Sequence, residues 1–287
     1  MHVSLIGTGL MGRAMTERLL ASGHAVTIWN RTREKTEPLL EMGAAAADSP
    51  EAAIAATSIT ILMLTDEPAI RSVLAPDGTL PDLGGRVLLQ MGTIGSDESR
   101  QLLEDVEVAG GEYLEAPVLG SRGQAVAGTL LVAVGSTAEQ YDRWRPLLDC
   151  FGPDPQRVGE VGQAASVKLA FNQLIASHIT AFSLSLGMIR RRGVEVEDFM
   201  QILRRSSIYA ETFDKKLPRL LERDFSNPNF RQRLLLKDID LIRAEADGLG
   251  LDTAALVGIR RLVDKALAMG LSEDDYSTVY NAVDPPE

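Results

Sequence analysis

Short apolar runs alternate with amphipathic stretches over roughly the first 160 residues of the chain. The runs are rich in Val, Ile and Leu, which is typical of buried strands, and between them apolar residues recur with the spacing of helices. Strands that alternate with helices predict an α/β fold with a doubly wound parallel sheet. The predicted strands are 3–6, 25–29, 59–64, 87–90, 112–116 and 130–134, and the predicted helices are 11–22, 34–42, 50–56, 68–74 and 96–109.

The strand pattern ends at residues 151–163, FGPDPQRVGEVGQ, which are rich in Gly and Pro and indicate a boundary. Residues 163–192 then predict one helix of about eight turns, ended by Gly193. We therefore expect a Rossmann-type domain over residues 1–160 and an all-α domain over 161–287, joined by this long helix. Further helices are predicted near 196–205, 210–221, 234–248 and 253–269, with a short last one.

The amino-acid composition of the chain disfavours several classes of partner, location and metal site. The net charge of −11 disfavours a nucleic-acid partner, because no basic stripe is present. The single cysteine, Cys150, excludes an intramolecular disulfide, and no secretory signal is visible at the N-terminus. The apolar segment 169–189 is interrupted by polar residues, which favours a helix buried in protein over one in a membrane. We expect a soluble, cytoplasmic protein without a metal site, since the three histidines lack metal-ligand spacing.

A glycine-rich turn follows the first predicted strand and opens the first predicted helix. Its sequence, GTGLMG, matches G-x-G-x-x-G in the context that a dinucleotide site requires. Gly7 permits the tight turn, Gly9 lets a pyrophosphate approach the backbone, and Gly12 allows close packing of helix and strand. The free amides and the positive helix end would face the phosphates. The alternative is a structural turn that binds nothing. The predicted site comprises Gly7, Thr8, Gly9, Leu10, Met11 and Gly12.

The residues after the second predicted strand discriminate between cofactors. NAD sites usually carry Asp or Glu there to bind the ribose hydroxyls, but this chain has Asn30. Arg31 and Thr32, with Arg33 beside them, can hold a 2′-phosphate, because arginine presents a planar fork of donors. Solvated loop charges would account for one arginine but not for the missing carboxylate. The pattern favours NADP, as NADPH, over NAD.

Four segments in register carry a family resemblance. They are GTGLMGRAM near the N-terminus, EAPVLGSRGQAVAGTLLVAVGS at 115–136, VGEVGQAASVKLAFNQL at 158–174 and FRQRLLLKDID at 230–240. Over essentially the whole chain they resemble the β-hydroxyacid dehydrogenases, which include 3-hydroxyisobutyrate dehydrogenase and tartronate semialdehyde reductase. WNRT, at 29–32, is most similar to the NADP-using glyoxylate/succinic semialdehyde reductase branch. The resemblance implies an NAD(P)-dependent oxidoreductase with a 6-phosphogluconate dehydrogenase-like C-terminal domain, acting on a small carbonyl substrate as a homodimer or homotetramer.

Lys168 is the strongest catalytic candidate. It lies among small and apolar residues on the predicted long helix, so its charge either reaches water or is held there for a purpose. The resemblance implies that Lys168 is the general acid of carbonyl reduction, with a pKa that partial burial lowers towards the working pH. Asn172 lies one turn later on the same face and, by resemblance, fixes the lysine and the substrate. For Asn172 the alternative is a locally satisfied structural amide.

The loop Leu119-Gly120-Ser121 departs from the family pattern. The family usually has a serine at position 119, in a turn that binds the substrate carboxylate. Here the backbone amides and Ser121 remain as donors, while Leu119 contributes an apolar side chain. A lost hydrogen bond to a charged group costs about 1.5–3 kcal/mol. We therefore expect a bulkier or less polar carbonyl substrate.

The remaining candidates depend mainly on the resemblance. It implies that Lys237 reaches the cofactor and substrate cleft and that Phe230 lines the substrate pocket, against the alternatives of a surface pair and a core aromatic. It also implies that Thr93 contacts the nicotinamide side. Leu64 and Thr65 lie where a predicted strand ends, at the carboxyl edge where dinucleotides bind. The acidic residues between 237 and 247 are interpreted as a solvated helix face.

Two other functions stay open at this point. An imine reductase shares the glycine-rich turn, WNRT and the helical half, but generally lacks the equivalent of Lys168. A non-catalytic NADPH-binding module is a different class of protein, and the joint presence of Lys168 and Asn172 argues against it. The leading hypothesis is an NADPH-dependent reductase of small aldehydes or oxo acids.

Overall fold

The computed structural model describes residues 1–286, which form two compact units. The first unit is Met1–Leu169, and the second begins at Ala170, within the long helix.

The first unit alternates strands and helices, as the apolar pattern predicts. Its strands are β1 (His2–Ile6), β2 (Ala25–Trp29), β3 (Ala45–Ala46), β4 (Ile59–Leu62), β5 (Val87–Gln90), β6 (Glu112–Glu115), β7 (Val118–Leu119), β8 (Leu131–Gly135) and β9 (Gln156–Gly159). Its helices are α1 (Leu10–Ala21), α2 (Glu37–Leu40), α3 (Pro50–Ala55), α4 (Glu67–Leu74), α5 (Ser96–Val108), α6 (Arg122–Ala127) and α7 (Ala138–Leu148).

The strands form one mixed, mostly parallel sheet in the order β3-β2-β1-β4-β5-β6-β8-β7, with β9 beside β8. The first six strands in this order are parallel, whereas β8 runs antiparallel to β6 and β7. The carboxyl ends of parallel strands meet at one edge. The loops after β1, β4 and β5 therefore lie side by side, and a ligand can contact all three.

Both faces of the sheet are buried, which explains why its strands are continuous apolar runs rather than alternating ones. Along each central strand, successive fully buried residues point to opposite faces of the sheet, and each face has its own core. One core contains Leu5, Ile61, Leu89 and Leu114, and the other contains Ile6, Leu62, Leu88 and Tyr113.

The second unit is helical and follows α8 (Gln163–Arg191). The long helix ends before Gly193, whose φ of +70° suits glycine at a helix end. The helices after it are α9 (Val196–Arg204), α10 (Glu211–Glu222), α11 (Gln232–Gly248), α12 (Ala254–Ala268) and α13 (Val279–Val283).

By length and composition, α8 is apolar enough to cross a membrane, and 39% of its most apolar 18-residue window is buried. Its inward side supplies Ala176, Ile179, Phe182 and Leu186 to the core of the second unit. The apolar character of α8 is thus explained in part by packing within the protein.

Some predicted elements need correction. The segment 151–163 is more than a linker, because it contributes β9, which pairs with β8. The helix predicted at 34–42 is a 3₁₀ turn, Arg33–Lys35, followed by the short α2. The pattern also missed β3, β7, α6 and α7. Two-residue strands are too short for a periodic signal, and α7 contains Pro146.

Candidate active site

The glycine-rich turn after β1 has the geometry that its sequence predicts. Gly7 has φ = +102°, and a Cβ there would lie 2.4 Å from the carbonyl oxygen of Met63. A Cβ on Gly12 would lie 1.9 Å from the carbonyl oxygen of Gly7. Both positions therefore exclude a side chain, the first by conformation and contact and the second by contact with the turn itself.

Gly9 differs, because a Cβ there would meet nothing within 4 Å. Gly9 is the N-cap of α1, and among residues 1–286 no side chain caps this helix end and no acid lies in its first turn. Leu10 and Met11 begin the helix, so their amides point out of its positive end. Open space in front of an uncapped helix N-terminus fits the pyrophosphate of a dinucleotide.

Asn30 connects the glycine-rich turn to the loop after β2. Its Oδ1 accepts a hydrogen bond from the Thr8 amide at 3.0 Å, and its Nδ2 donates to the Thr32 carbonyl at 2.8 Å. Each of these atoms can form one further hydrogen bond. Asn30 therefore shapes the turn and keeps bonding capacity towards a ribose.

A cavity of about 220 Å³ lies at the carboxyl end of β2. Two arginines line it, Arg31 and Arg33, together with Asp48. Thr32 is exposed and is not part of this lining. The cavity is also lined by Trp29, Asn30, Thr36, Ala46 and Ala47.

The loops after β4 and β5 come close to the glycine-rich turn. A Cβ on Gly7 would lie 3.0 Å from Leu64 Cδ2, and a Cβ on Gly92 would lie 2.6 Å from the Leu64 carbonyl oxygen. Thr65 lies between Leu64 and the N-cap of α4, and Thr93 follows Gly92 and is half-buried. The structure thus places these three predicted cofactor residues at the sheet edge where dinucleotides bind.

Leu119 is the last residue of β7, and Gly120 and Ser121 follow it in the loop. Leu119 is half-buried, and Gly120 is exposed with φ = +142°. Ser121 forms a capping box at the start of α6: its Oγ accepts from the Gln124 amide at 3.3 Å and donates to Gln124 Oε1 at 3.1 Å. The Ser121 hydroxyl is therefore already engaged by its own helix.

Lys168 lies in the second turn of α8 and is half-buried. The start of this helix is fixed by a carboxylate that sequence reasoning missed. Glu115, at the end of β6 and 1% exposed, accepts hydrogen bonds from the amides of Gly162 at 2.8 Å, Ala164 at 2.9 Å and Ala165 at 3.1 Å. The Ser99 hydroxyl donates to its second oxygen. Burial raises the pKa of the Glu115 carboxyl, and these donated hydrogen bonds oppose that rise.

Asn172 and Lys237, of the second unit, share one buried carboxylate. Asn172 Nδ2 donates to Asp238 Oδ2 at 2.6 Å, and Lys237 Nζ forms an ion pair with Asp238 Oδ1 at 2.8 Å. Asp238 is 1% exposed, so the interpretation of the acids in 237–247 as a solvated face is wrong for this residue. It lies on the buried side of α11 with Leu235, Ile239 and Ile242, and this spacing was the signal that could have identified it.

Phe230 lies just before α11 and is half-buried. Its ring centroid is 5.6 Å from that of Tyr276, and its carbonyl accepts a hydrogen bond from the Tyr276 amide at 2.9 Å. The ring packs against the core of the second unit and keeps a partly exposed edge. In residues 1–286 no group of three or more His, Cys, Asp or Glu side chains could hold a metal ion.

Two known protein families match the chain, one on each side of residue 162. Residues 2–162 match the NAD binding domain of 6-phosphogluconate dehydrogenase. Residues 162–283 match the family described as NAD-binding of NADP-dependent 3-hydroxyisobutyrate dehydrogenase.

Individual relatives agree over the whole length. The chain is 30% identical over 285 residues to glyoxylate/succinic semialdehyde reductase 1 of Arabidopsis thaliana, covering 99% of this chain and 98% of the relative. The structure of Psf3 in complex with NADP+ and 2-OPP superposes with a TM-score of 0.87 at 25% identity, covering 98% of this chain and 99% of Psf3. An imine reductase from Myxococcus stipitatus shares the fold, with a TM-score of 0.68 at 18% identity and 98% of both chains covered.

Proposed function

The chain belongs to the 3-hydroxyisobutyrate dehydrogenase-like family of NAD(P)-dependent oxidoreductases, and on that premise we propose that it is an NADPH-dependent reductase of small aldehydes and oxo acids. The reverse reaction oxidises the corresponding alcohol or hydroxyacid. The position of Lys168 in the fold supports this proposal most directly. It is a half-buried ammonium in the second turn of α8, whose first turn is bonded to a strand end of the dinucleotide-binding sheet.

In this reaction Lys168 is the general acid. NADPH, when bound, supplies a hydride to the carbonyl carbon. The Lys168 ammonium gives a proton to the carbonyl oxygen, which leaves an alcohol and a neutral amine that regains a proton from solvent. Asn172, held by Asp238, presents its amide on the same helix one turn later and orients the substrate.

Preference for NADPH is supported by the cavity at the end of β2. Arg31 and Arg33 both line it, and paired guanidinium groups suit a 2′-phosphate. Asn30 brings no negative charge that would repel this phosphate. The negative charge of Asp48 would repel a 2′-phosphate, but Asp48 is exposed, so solvent screens this charge.

The proposed substrate class is supported by the end of β7 and the loop after it. The half-buried Leu119 offers no hydrogen bond, and the Ser121 hydroxyl is committed to Gln124. A substrate carboxylate near this loop would depend on backbone amides alone. This arrangement supports aldehydes and oxo acids with a bulkier or less polar body than the smallest carboxylates.

An exposed apolar stripe on α8 supports a homodimer or homotetramer. Phe171, Leu174, Leu184 and Met188 are 44%, 49%, 57% and 61% exposed, and they recur at helical spacing. Burial of such a stripe against another copy would remove it from water. Light scattering of the wild type and of Leu184→Glu tests this, with a smaller assembly expected for the variant.

The function is tested by NADPH oxidation with glyoxylate, succinic semialdehyde and a cyclic imine, each also assayed with NADH. We expect turnover with at least one aldehyde and a preference for NADPH. Turnover of the imine alone would establish an imine reductase instead. NADPH binding without reduction of any carbonyl or imine would establish a non-catalytic module.

A further inference from the structure

The buried Glu115 carboxylate accepts hydrogen bonds at both of its oxygens. One oxygen accepts three backbone amides at the start of α8, and the other accepts the Ser99 hydroxyl from α5. Ser99 in turn lies 2.8 Å from the Tyr113 hydroxyl, and burial together with the Glu115 charge raises the pKa of this phenol. Because every group directed at Glu115 donates, the site matches the ionised acid, which only accepts hydrogen bonds.

The neighbouring strand leaves room for this carboxylate. Gly135, on β8, is the register partner of Glu115. A Cβ on Gly135 would lie 2.4 Å from Glu115 Oε1 and 2.9 Å from the Glu160 carbonyl oxygen. A side chain at 135 would therefore displace the acid from the helix start.

The contact controls the position of the first turn of α8. The first amides of a helix have no partner within the helix, so an external acceptor determines where that turn sits. Lys168 follows Ala164 and Ala165 by four and three residues, which places it one turn further along on the same side of the helix. A shift of the first turn would move the lysine with it.

The same contact changes the electrostatic surroundings of the lysine. The N-terminal end of a helix carries a partial positive charge, which disfavours an ammonium nearby. An ionised Glu115 on these amides opposes that charge. Charged or titratable groups near this helix start include Tyr113, Arg100, Arg157 and Glu160.

We propose that Glu115 is a positioning residue for Lys168, which fixes the start of α8 to β6 and keeps the ammonium form of the lysine favourable. The inference rests on the proposed function, in which Lys168 is the general acid. It adds a residue that contacts neither substrate nor cofactor in the proposed reaction.

The test compares Glu115→Gln with Glu112→Gln. Both variants remove one carboxylate from β6, but Glu112 is only half-buried and pairs with Arg143, whereas Glu115 is fully buried. For each variant, kcat, KM, the pH dependence of kcat and the Kd for NADPH are measured with the best carbonyl substrate. We expect Glu115→Gln to lower kcat about tenfold at neutral pH, with the Kd for NADPH unchanged. The alkaline limb of the kcat–pH profile of Glu115→Gln should move about half a pH unit towards lower pH, because the Lys168 ammonium loses the nearby negative charge of Glu115.

A second measurement separates this inference from the proposed function. The chain has six lysines, so ¹³C-methyl labelling of the lysines gives few NMR signals, and Lys168→Arg assigns that of Lys168. The midpoint of its titration should fall in Glu115→Gln and stay unchanged in Glu112→Gln. This readout needs no turnover, so it tests the inference even if no carbonyl is reduced.

Wild-type kcat and an unchanged Lys168 midpoint in Glu115→Gln would overturn the inference, and so would equal effects of the two variants. Loss of stability with an unmoved midpoint would show a merely structural role and also overturn it. If Glu115→Gln does not fold, Ser99→Ala removes one donor and leaves the three amide bonds. We then expect a fall in kcat of about two- to threefold, and wild-type kinetics for Ser99→Ala would contradict the inference.

Discussion

Asn172 Nδ2 lies 2.6 Å from Asp238 Oδ2, and both side chains are at most 2% exposed. The second oxygen of the same carboxylate pairs with Lys237 at 2.8 Å. A single buried acid therefore holds two residues of the second unit that the sequence predicts for the site.

Asp238→Ala should destabilise the protein by about 2–4 kcal/mol, because it removes the carboxylate that the buried Asn172 amide donates to and that Lys237 pairs with. Urea unfolding measures this loss. The matched control is Asp240→Ala, two residues along α11, where an exposed carboxylate pairs with Arg260 at 2.6 Å. It should cost less than about 1 kcal/mol, and equal losses in the two variants would contradict the account.

Two glycines of the turn should separate binding from stability. Gly9→Ala should preserve the melting temperature but weaken NADPH binding, since its Cβ enters the open space in front of α1. Gly12→Ala should lower both the melting temperature and the affinity for NADPH, because its Cβ would overlap the Gly7 carbonyl. Calorimetric titration and thermal melting measure the two effects. Unchanged NADPH affinity in Gly9→Ala would place the pyrophosphate elsewhere.

The cofactor preference should depend on the cavity at the end of β2. Arg31→Ala and Arg33→Ala should each weaken NADPH binding about tenfold or more, because each removes a charged hydrogen-bond donor. Affinity for NADH should stay nearly constant. Asp48→Asn, which removes the opposing charge of the lining, should strengthen NADPH binding. Calorimetry with both cofactors checks this, and parallel losses for NADPH and NADH would refute a 2′-phosphate site.

The buried Glu115 should make stability depend on pH. Burial raises its pKa in the folded protein above the ordinary 4.5, so between these two values the folded state holds a proton that the unfolded state has lost. Stability from this group is present below pH 4.5 and decreases as pH rises through the folded-state pKa. The melting temperature of the wild type minus that of Glu115→Gln should therefore fall as pH rises from 4 towards 7. A difference that grows with pH would show that the folded-state pKa is lowered instead.

Much of the fold could be predicted because its strands are buried on both faces. Residues 25–29 and 87–90 are strands with the predicted bounds, and the other predicted strands differ by one or two residues. Elements without a periodic apolar signal could not be found this way. One is β9, whose residues are mostly exposed and which exists only through its pairing with β8.

The site was predictable where a motif fixes the backbone and less so where acids act through tertiary contacts. The glycine-rich turn required only local sequence. Glu115 contacts amides 47 to 50 residues away, and no local pattern specifies such a distance. An acid that ends an apolar strand was nevertheless a usable sign, because an unpaired buried charge is costly. For Asp238 the sign was its position among the buried residues of α11.

The most direct test of the central claim compares turnover by the wild type, Lys168→Ala and Lys168→Arg with the best aldehyde and NADPH. If Lys168 is the general acid, Lys168→Ala should lose about a hundredfold or more in kcat while it still binds NADPH. Lys168→Arg should remain poor, because a guanidinium scarcely releases its proton. Wild-type turnover by Lys168→Ala would contradict the account.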